Sequence, residues 1–398
     1  MTTATDLYWD PYETSLSLDP YPSYKRLREE APLYYNDKHD FYAASLFADC
    51  EAGLKDAETF ISGRGGMLEL IKANIELPPG TLIFEDAPAH TIHRSLLVKV
   101  FTPRRVAALE PKIRAFAAEH MEAMVGEKRF DLIGELGAQM PMKVISMLLG
   151  IPQSDQEAVR DQVDKNLRTK PGQPMEYRNA DFASGDMYGD YIEWRRDNPS
   201  DDLMTELLHT EFEDENGVRR TLTNQEAKTY TAVVAGAGNE TTNRLVGHAG
   251  TLLAKHPEQR AELVADPSLI PGAVEEILRY EPPAHSVGRY VAKDAEIQGQ
   301  KVPEGSAILF LVAAANRDDA RYPDGERFDI HRKGIGQLLT FGLGAHYCLG
   351  AALARLEGRI ALEELLKRFP EWDVDYDNAR LTSTATVRGW ETLPIVIP

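Results

Sequence analysis

Phe341-Gly342-Leu343-Gly344-Ala345-His346-Tyr347-Cys348-Leu349-Gly350 is the stretch from which fold and chemistry are both read. Two glycines let a loop approach a ligand closely. A lone cysteine then opens a helical pattern that runs from Cys348 to Phe369. A helix N-terminus favours the thiolate, so a lowered thiol pKa is expected at Cys348. A thiolate there is a nucleophile or a metal ligand; the bland alternative is a small buried cysteine. The second cysteine, Cys50, lies in a helical pattern without glycine or histidine framing and reads as simply buried.

Upstream, Asn316-Arg317-Asp318, Tyr322-Pro323-Asp324 and Phe328 lead into this loop. Before them come short strands at Arg289–Lys293, Ala295–Gln298 and Ala307–Leu311, with turns at Gly299-Gln300 and Pro303-Glu304-Gly305. A helix over Pro271–Tyr280 carries Glu276 and Arg279, three residues apart on one face. Further back, Thr223-Asn-Gln-Glu226 is a capping box. It predicts a helix reaching Lys255, stopped by Pro257, roughly 48 Å long. Its middle reads Ala235-Gly236-Ala237-Gly238-Asn239-Glu240-Thr241-Thr242. Small residues there cost helix propensity. Close helix packing is one explanation; close approach of a ligand to the backbone is the other. An acid beside a hydroxyl in an apolar helix needs a reason.

Toward the N-terminus, helices are predicted at Tyr21–Glu30, Leu46–Lys55, His90–Phe101, Pro103–Met124 and Leu136–Leu149, then from Asp155 and over Asp181–Arg196 around a Lys170–Pro174 break. Pro32–Tyr35 and Asp40–Ala44 form a hairpin pattern. The glycine-rich stretch Ile61–Ile83 holds Met67, Leu68, Leu70 and Ile71, and reads as a lid over an apolar cavity or as a loop with core anchors. The fold class expected is mainly α with minor β, one domain over residues 1–398 without a linker.

The chain has 398 residues and a net charge of −19. That acidity argues against nucleic acid or an anionic membrane as partner. No apolar run is long enough to span a bilayer, and the polar, acidic N-terminus lacks a signal-peptide pattern. With two cysteines almost 300 residues apart, reduced thiols and a cytoplasmic location are expected.

The ten-residue loop resembles the haem-binding loop of the cytochrome P-450 superfamily, F-G-x-G-x-H-x-C-x-G, with all six fixed positions matched. Ala237–Thr242 is similar to the family's A-G-x-[D/E]-T-T, and Glu276/Arg279 to its E-x-x-R. Asp86, Pro88, His90 and Arg94 resemble its D-x-P-x-H-x-x-x-R helix. The resemblance covers nearly the whole chain. It implies a triangular-prism-like single domain, with haem b between the long oxygen-binding helix and the Cys-loop helix. It implies Cys348 as the axial iron ligand, the metal site, with Phe341, Gly342, Ala237 and Gly238 beside the cofactor. It implies propionate ligands His90, Arg94, Arg289 and His346; His93 reads as structural or exposed. Thr241 and Glu240 would be the catalytic pair, one serving activated oxygen and the other relaying protons. Glu276 and Arg279 would be structural, their ion pair shared with a downstream arginine or histidine.

The function implied is a haem-thiolate monooxygenase of the soluble bacterial type, a monomer. It would insert one atom of O2 into a hydrophobic small molecule: a terpenoid, steroid, fatty acid or polyketide. By family position the pocket is lined by Met67, Leu68, Val233, Val234, Ala237, Val287 and Val387, with Thr386 and the region from Asp155 to Arg196. No dinucleotide fingerprint, flavin domain or iron–sulfur cysteine set is present. NAD(P)H-derived electrons are therefore expected through a separate ferredoxin and ferredoxin reductase. Lys99, Arg104, Arg105, Arg355 and Arg359 are the expected basic docking patch for that donor. Two alternatives stay open: a peroxide-driven peroxygenase of the same fold, and a non-catalytic haem sensor or ligand carrier.

Overall fold

The computed structural model describes residues 7–14, 18–75, 77–152, 172–173, 186–382 and 387–398. Helices dominate, with minor sheets, as the patterning predicts. The helix expected from Asp155, most of the 170–174 break and Thr386 lie outside the described residues. Among the described residues no helix is long and apolar enough to cross a membrane.

The long helix spans Asn224–Lys255. Thr223 Oγ1 accepts from the Glu226 N–H at 3.2 Å, and Glu226 Oε2 accepts from the Thr223 N–H at 2.8 Å, so the capping box is complete. It shares one apolar core with the helices Pro103–Ala123, Gln139–Leu149, Ile270–Tyr280 and Ala351–Arg368. Its glycines serve that packing. A Cβ on Gly250 would stand 2.6 Å from Leu132, and one on Gly247 2.9 Å from Ile133. At Gly358 of the 351–368 helix, it would stand 2.8 Å from Leu245.

A second body of core surrounds a five-stranded sheet. Across it run Leu33–Asn36, Phe41–Ala44, Ala307–Phe310, Val287–Val291 and Phe60–Ile61. All neighbours are antiparallel except Phe41–Ala44 with Ala307–Phe310. Both faces are covered, so Ala307–Phe310 is a continuous apolar run without alternation.

Three features escape the sequence patterning. Gln300–Val302 pairs with Ala295–Ile297 as a hairpin through Gln298 and Gly299, both at positive φ. Leu68–Ala73 is a helix inside the stretch read as irregular. Short strands at Arg129–Asp131, Asp373–Val374 and Pro394–Val396 form a sheet of their own. Segments of two or three residues are too short to show a period, and pairing partners far along the chain define them.

Candidate active site

The Cys loop is a pair of 3-10 turns, Leu339–Phe341 and Gly344–His346. Gly342 and Gly344 have φ of 65° and 66°, which side-chain-bearing residues avoid. A Cβ on Gly344 would also lie 2.9 Å from the Leu54 carbonyl, so the loop rests against the helix Phe47–Lys55. The Cys348 N–H donates to Phe341 O at 2.7 Å and closes the loop. Phe341 itself is buried, with the Arg355 guanidinium 4.4 Å from its ring centre.

Cys348 is exposed. The expected lowering of its thiol is not found: although the residue reaches solvent, the protein packed around the sulfur desolvates the thiolate and raises the thiol, and the Gly350 N–H, Arg94 and Arg355 only partly offset this. The reason is local. The helix begins at Ala351, so Cys348 precedes the cap by two residues and gains little from the helix end.

Four basic side chains gather beside the thiol. The His90 and His346 rings are 4.1 Å apart. Arg94, one turn after His90, donates to Tyr347 O at 2.5 Å. Arg289 is buried on the strand Val287–Val291 and donates to Gly288 O at 2.8 Å. Burial, aided at His346 and His90 by repulsion from neighbouring basic groups, holds every one down: His346 to about 3, Arg289 to about 10, and His90 and Arg94 below their usual ranges. His90 Nε2 is buried without a hydrogen-bond partner. Two arginines and two neutral imidazoles, with no carboxylate paired to them among the described residues, fit a ligand carrying two carboxylates. Haem is such a ligand, and the exposed thiol supplies the donor its iron needs. No group of three or more histidine, cysteine or carboxylate side chains suited to a metal ion occurs among the described residues.

His93 is buried rather than exposed. Its Nδ1 lies 2.7 Å from Glu85 Oε2, and its ring meets Tyr230 edge-on. Asp86 accepts from the Ser62 and Gly63 N–H groups, each at 2.8 Å, and so anchors the glycine-rich stretch to the His90 helix. Sequence reading gave Asp86 only as part of a pattern.

In mid-helix, Val233 and Thr241 are half-buried and Ala237 is exposed. A spacing of four makes this a single accessible stripe. Thr241 Oγ1 donates back to Ala237 O at 2.9 Å. At Gly238 a Cβ would stand 2.4 Å from Ile145, so this glycine serves helix packing. The residues expected to line the pocket sit as follows. Leu68 belongs to the core beside the sheet with Trp9, Tyr24 and Leu309. Val234 belongs to the main core, and Met67 packs with Leu70 and Phe84. Val287 is half-buried and Val387 buried. Glu240 is buried and ion-paired with Arg244 at 2.9 Å, a partner the motif did not disclose.

Glu276 and Arg279 are fully buried, so the pair is no surface bridge. Arg279 clamps Glu276 through two bonds of 2.7 Å and donates to the carbonyls of Asn316, Gly325 and Arg327. The downstream partner is Arg332, 3.2 Å from Glu276 Oε1. Asn316 then reaches the Cys loop, accepting from the Leu339 N–H and donating to Thr340.

The expected basic patch is partly neutralised. Arg355 pairs with Glu275, Arg359 with Glu110 and Glu363, and Arg105 with Glu206. Lys99 and Arg104 are exposed and have no ion-pair partner among the described residues.

A family model described as cytochrome P-450 matches residues 265–389. Cytochrome P-450 monooxygenase PikC of Streptomyces venezuelae is 35% identical over 385 residues, 95% of this chain and 91% of that one. A mutant of EryK, solved in complex with erythromycin B, superposes with a TM-score of 0.86 at 30% identity, covering 96% of this chain and 97% of that one. CYP109E1 from Bacillus megaterium, solved in complex with testosterone, gives 0.85 at 28% identity, with 96% and 99% covered.

Proposed function

The chain belongs to the cytochrome P-450 superfamily, and from that membership we propose a haem-thiolate monooxygenase in which Cys348 would hold the iron of haem b. Its substrate is a hydrophobic small molecule. The crowding of His90, Arg94, Arg289 and His346 beside the exposed Cys348 thiol carries this reading. Bound there, haem supplies the reductive activation of O2 and the transfer of one of its atoms to substrate.

The protein's own residues do the rest. His90, Arg94, Arg289 and His346 hold the two carboxylates and fix the orientation of the ring. Gly342 and Phe341 shape the loop around the thiolate. The stripe of Val233, Ala237 and Thr241 is the distal wall, with Val287 and Val387 completing an apolar pocket. Thr241 and Glu240 hold and move protons at that wall. Relatives solved with erythromycin B and testosterone support the polyketide and steroid members of the substrate set. Electrons come from a ferredoxin and its NAD(P)H-dependent reductase. The working unit is a single-domain monomer in the cytoplasm.

Reduced protein with carbon monoxide should show the red-shifted Soret band of thiolate-bound haem. Cys348→His should lose that band and Cys50→Ala should keep it. Loss of the band on changing Cys50 would refute the ligand assignment. Substrate-dependent NADPH use with surrogate partners separates this reading from a peroxygenase or a sensor.

A further inference from the structure

Glu240, Arg244 and His248 stand four residues apart on the long helix and so line one face. All three are buried. Arg244 Nη2 donates to Glu240 Oε1 at 2.9 Å, and its Nη1 donates to the Trp390 carbonyl. One turn on, His248 Nε2 lies 3.0 Å from the Arg388 carbonyl. A carbonyl only accepts, so that nitrogen carries the proton. Burial holds His248 down to about 4, so the ring is neutral at physiological pH. The two carbonyls belong to residues two apart in the chain, Arg388 and Trp390. Between them, Gly389 is obligatory: a Cβ would lie 2.5 Å from Arg244 Cδ. One polar face of the helix is thus stitched to the segment that follows Val387.

We propose that Arg244 is a positioning residue, fixing the carboxylate of Glu240, the residue before Thr241, and tying it to the C-terminal segment that follows Val387. This rests on Glu240 and Thr241 being the proton relay. A buried carboxylate without its cation would turn toward other partners or take up a proton. Arg244 fixes it through one ion pair and is itself fixed by the Trp390 carbonyl. The acid's placement then depends on the seating of residues 387–390.

The test uses haem-loaded wild type, Arg244→Met, Arg244→Lys, Gly389→Ala and Thr241→Ala, with a surrogate ferredoxin and reductase. The first readout is the fraction of NADPH electrons leaving as hydrogen peroxide. The second is the C–O stretching band of the reduced carbon monoxide complex, which needs no turnover. Arg244→Met should raise the peroxide fraction at least about threefold, a modest part of the ~10²–10⁴-fold worth of a positioned acid–base group. It should also broaden the C–O band. Arg244→Lys keeps the charge and should return both readouts toward wild type. Gly389→Ala pushes Arg244 aside and should mimic Arg244→Met, so the idea stays testable if the methionine variant folds poorly. If Thr241→Ala leaves the peroxide fraction unchanged, the relay reading itself fails. If Thr241→Ala raises it while Arg244→Met and Gly389→Ala match wild type, the positioning role of Arg244 alone is overturned. Failure of lysine to rescue would likewise overturn it, by reducing Arg244 to a packing element.

Discussion

Cys50 and Cys348 show how far environment outweighs residue type. Cys50 is fully buried, its thiol donating to Ala44 O at 3.3 Å, and burial pushes it well above the usual range. Cys348 is exposed beside Arg94 and the Gly350 N–H. His248 offers a test at the same scale. Its folded pKa of about 4 lies below the ordinary value, so the unfolded chain binds the extra proton first. The stability contributed by the neutral ring is present above about pH 6.5 and is lost as pH falls toward 4. The linked loss is about 3 kcal/mol at most for a shift of this order. His248→Gln, which can still donate to Arg388 O, should flatten the fall in unfolding midpoint between pH 6.5 and 4. An unchanged slope would mean that other groups, such as His285, also held well below its usual range by desolvation, carry the acid sensitivity.

Among the elements, the long helix and the 270–280 helix divide the work. The long helix turns an accessible stripe of small residues and Thr241 to one side, and packs Gly238, Gly247 and Gly250 on another. A third face carries Glu240, Arg244 and His248. The 270–280 helix is strongly two-faced and buries Glu276 and Arg279 under the segment that leads to the Cys loop. Removing one partner of a buried pair costs about 3–5 kcal/mol, because the other charge is left uncompensated. Glu276→Ala should therefore unfold at markedly lower urea and retain little haem. Arg332→Ala leaves the double Arg279 clamp intact and should cost less, about 1–3 kcal/mol, the worth of a charged hydrogen bond. Equal losses in the two variants would mean that the clamp is not the dominant contact.

Over the whole molecule, the net charge of −19 sets the field that a redox partner meets. An acidic ferredoxin would be repelled except where cations stand uncompensated. Ion pairing narrows the expected patch from five residues to Lys99 and Arg104. Surface attraction of this kind acts on encounter rate and is screened over about 10 Å at 0.1 M salt. Haem reduction by ferredoxin should slow as salt rises. Lys99→Glu with Arg104→Glu should slow it further at low salt, and Arg355→Glu should do so less, since Glu275 already offsets that charge. A rate flat in salt and equal in all variants would remove this surface from docking.

The sequence by itself determined the elements with strong local signals. The capping box and Pro257 set the ends of the long helix. The Cys loop was legible because Gly342 and Gly344 meet backbone demands that few residues can satisfy. Glu276 and Arg279 show in the sequence as two residue types three apart, whereas the burial of that pair and the basic set of His90, Arg94, Arg289 and His346 are implied only by the family resemblance. Only the tertiary structure decided which neighbour each face meets. Gly238 went to Ile145, Leu68 to the sheet core, and Glu240 to Arg244. It also showed the Cys348 thiol raised where a helix end was expected to lower it, because the helix starts three residues late and burial prevails. The physical reason is common to all of these. Period and capping are properties of a few consecutive residues, whereas burial and the choice of partner depend on how whole elements are brought together, as where Gly238 meets Ile145 and Leu68 joins the core that holds Leu309.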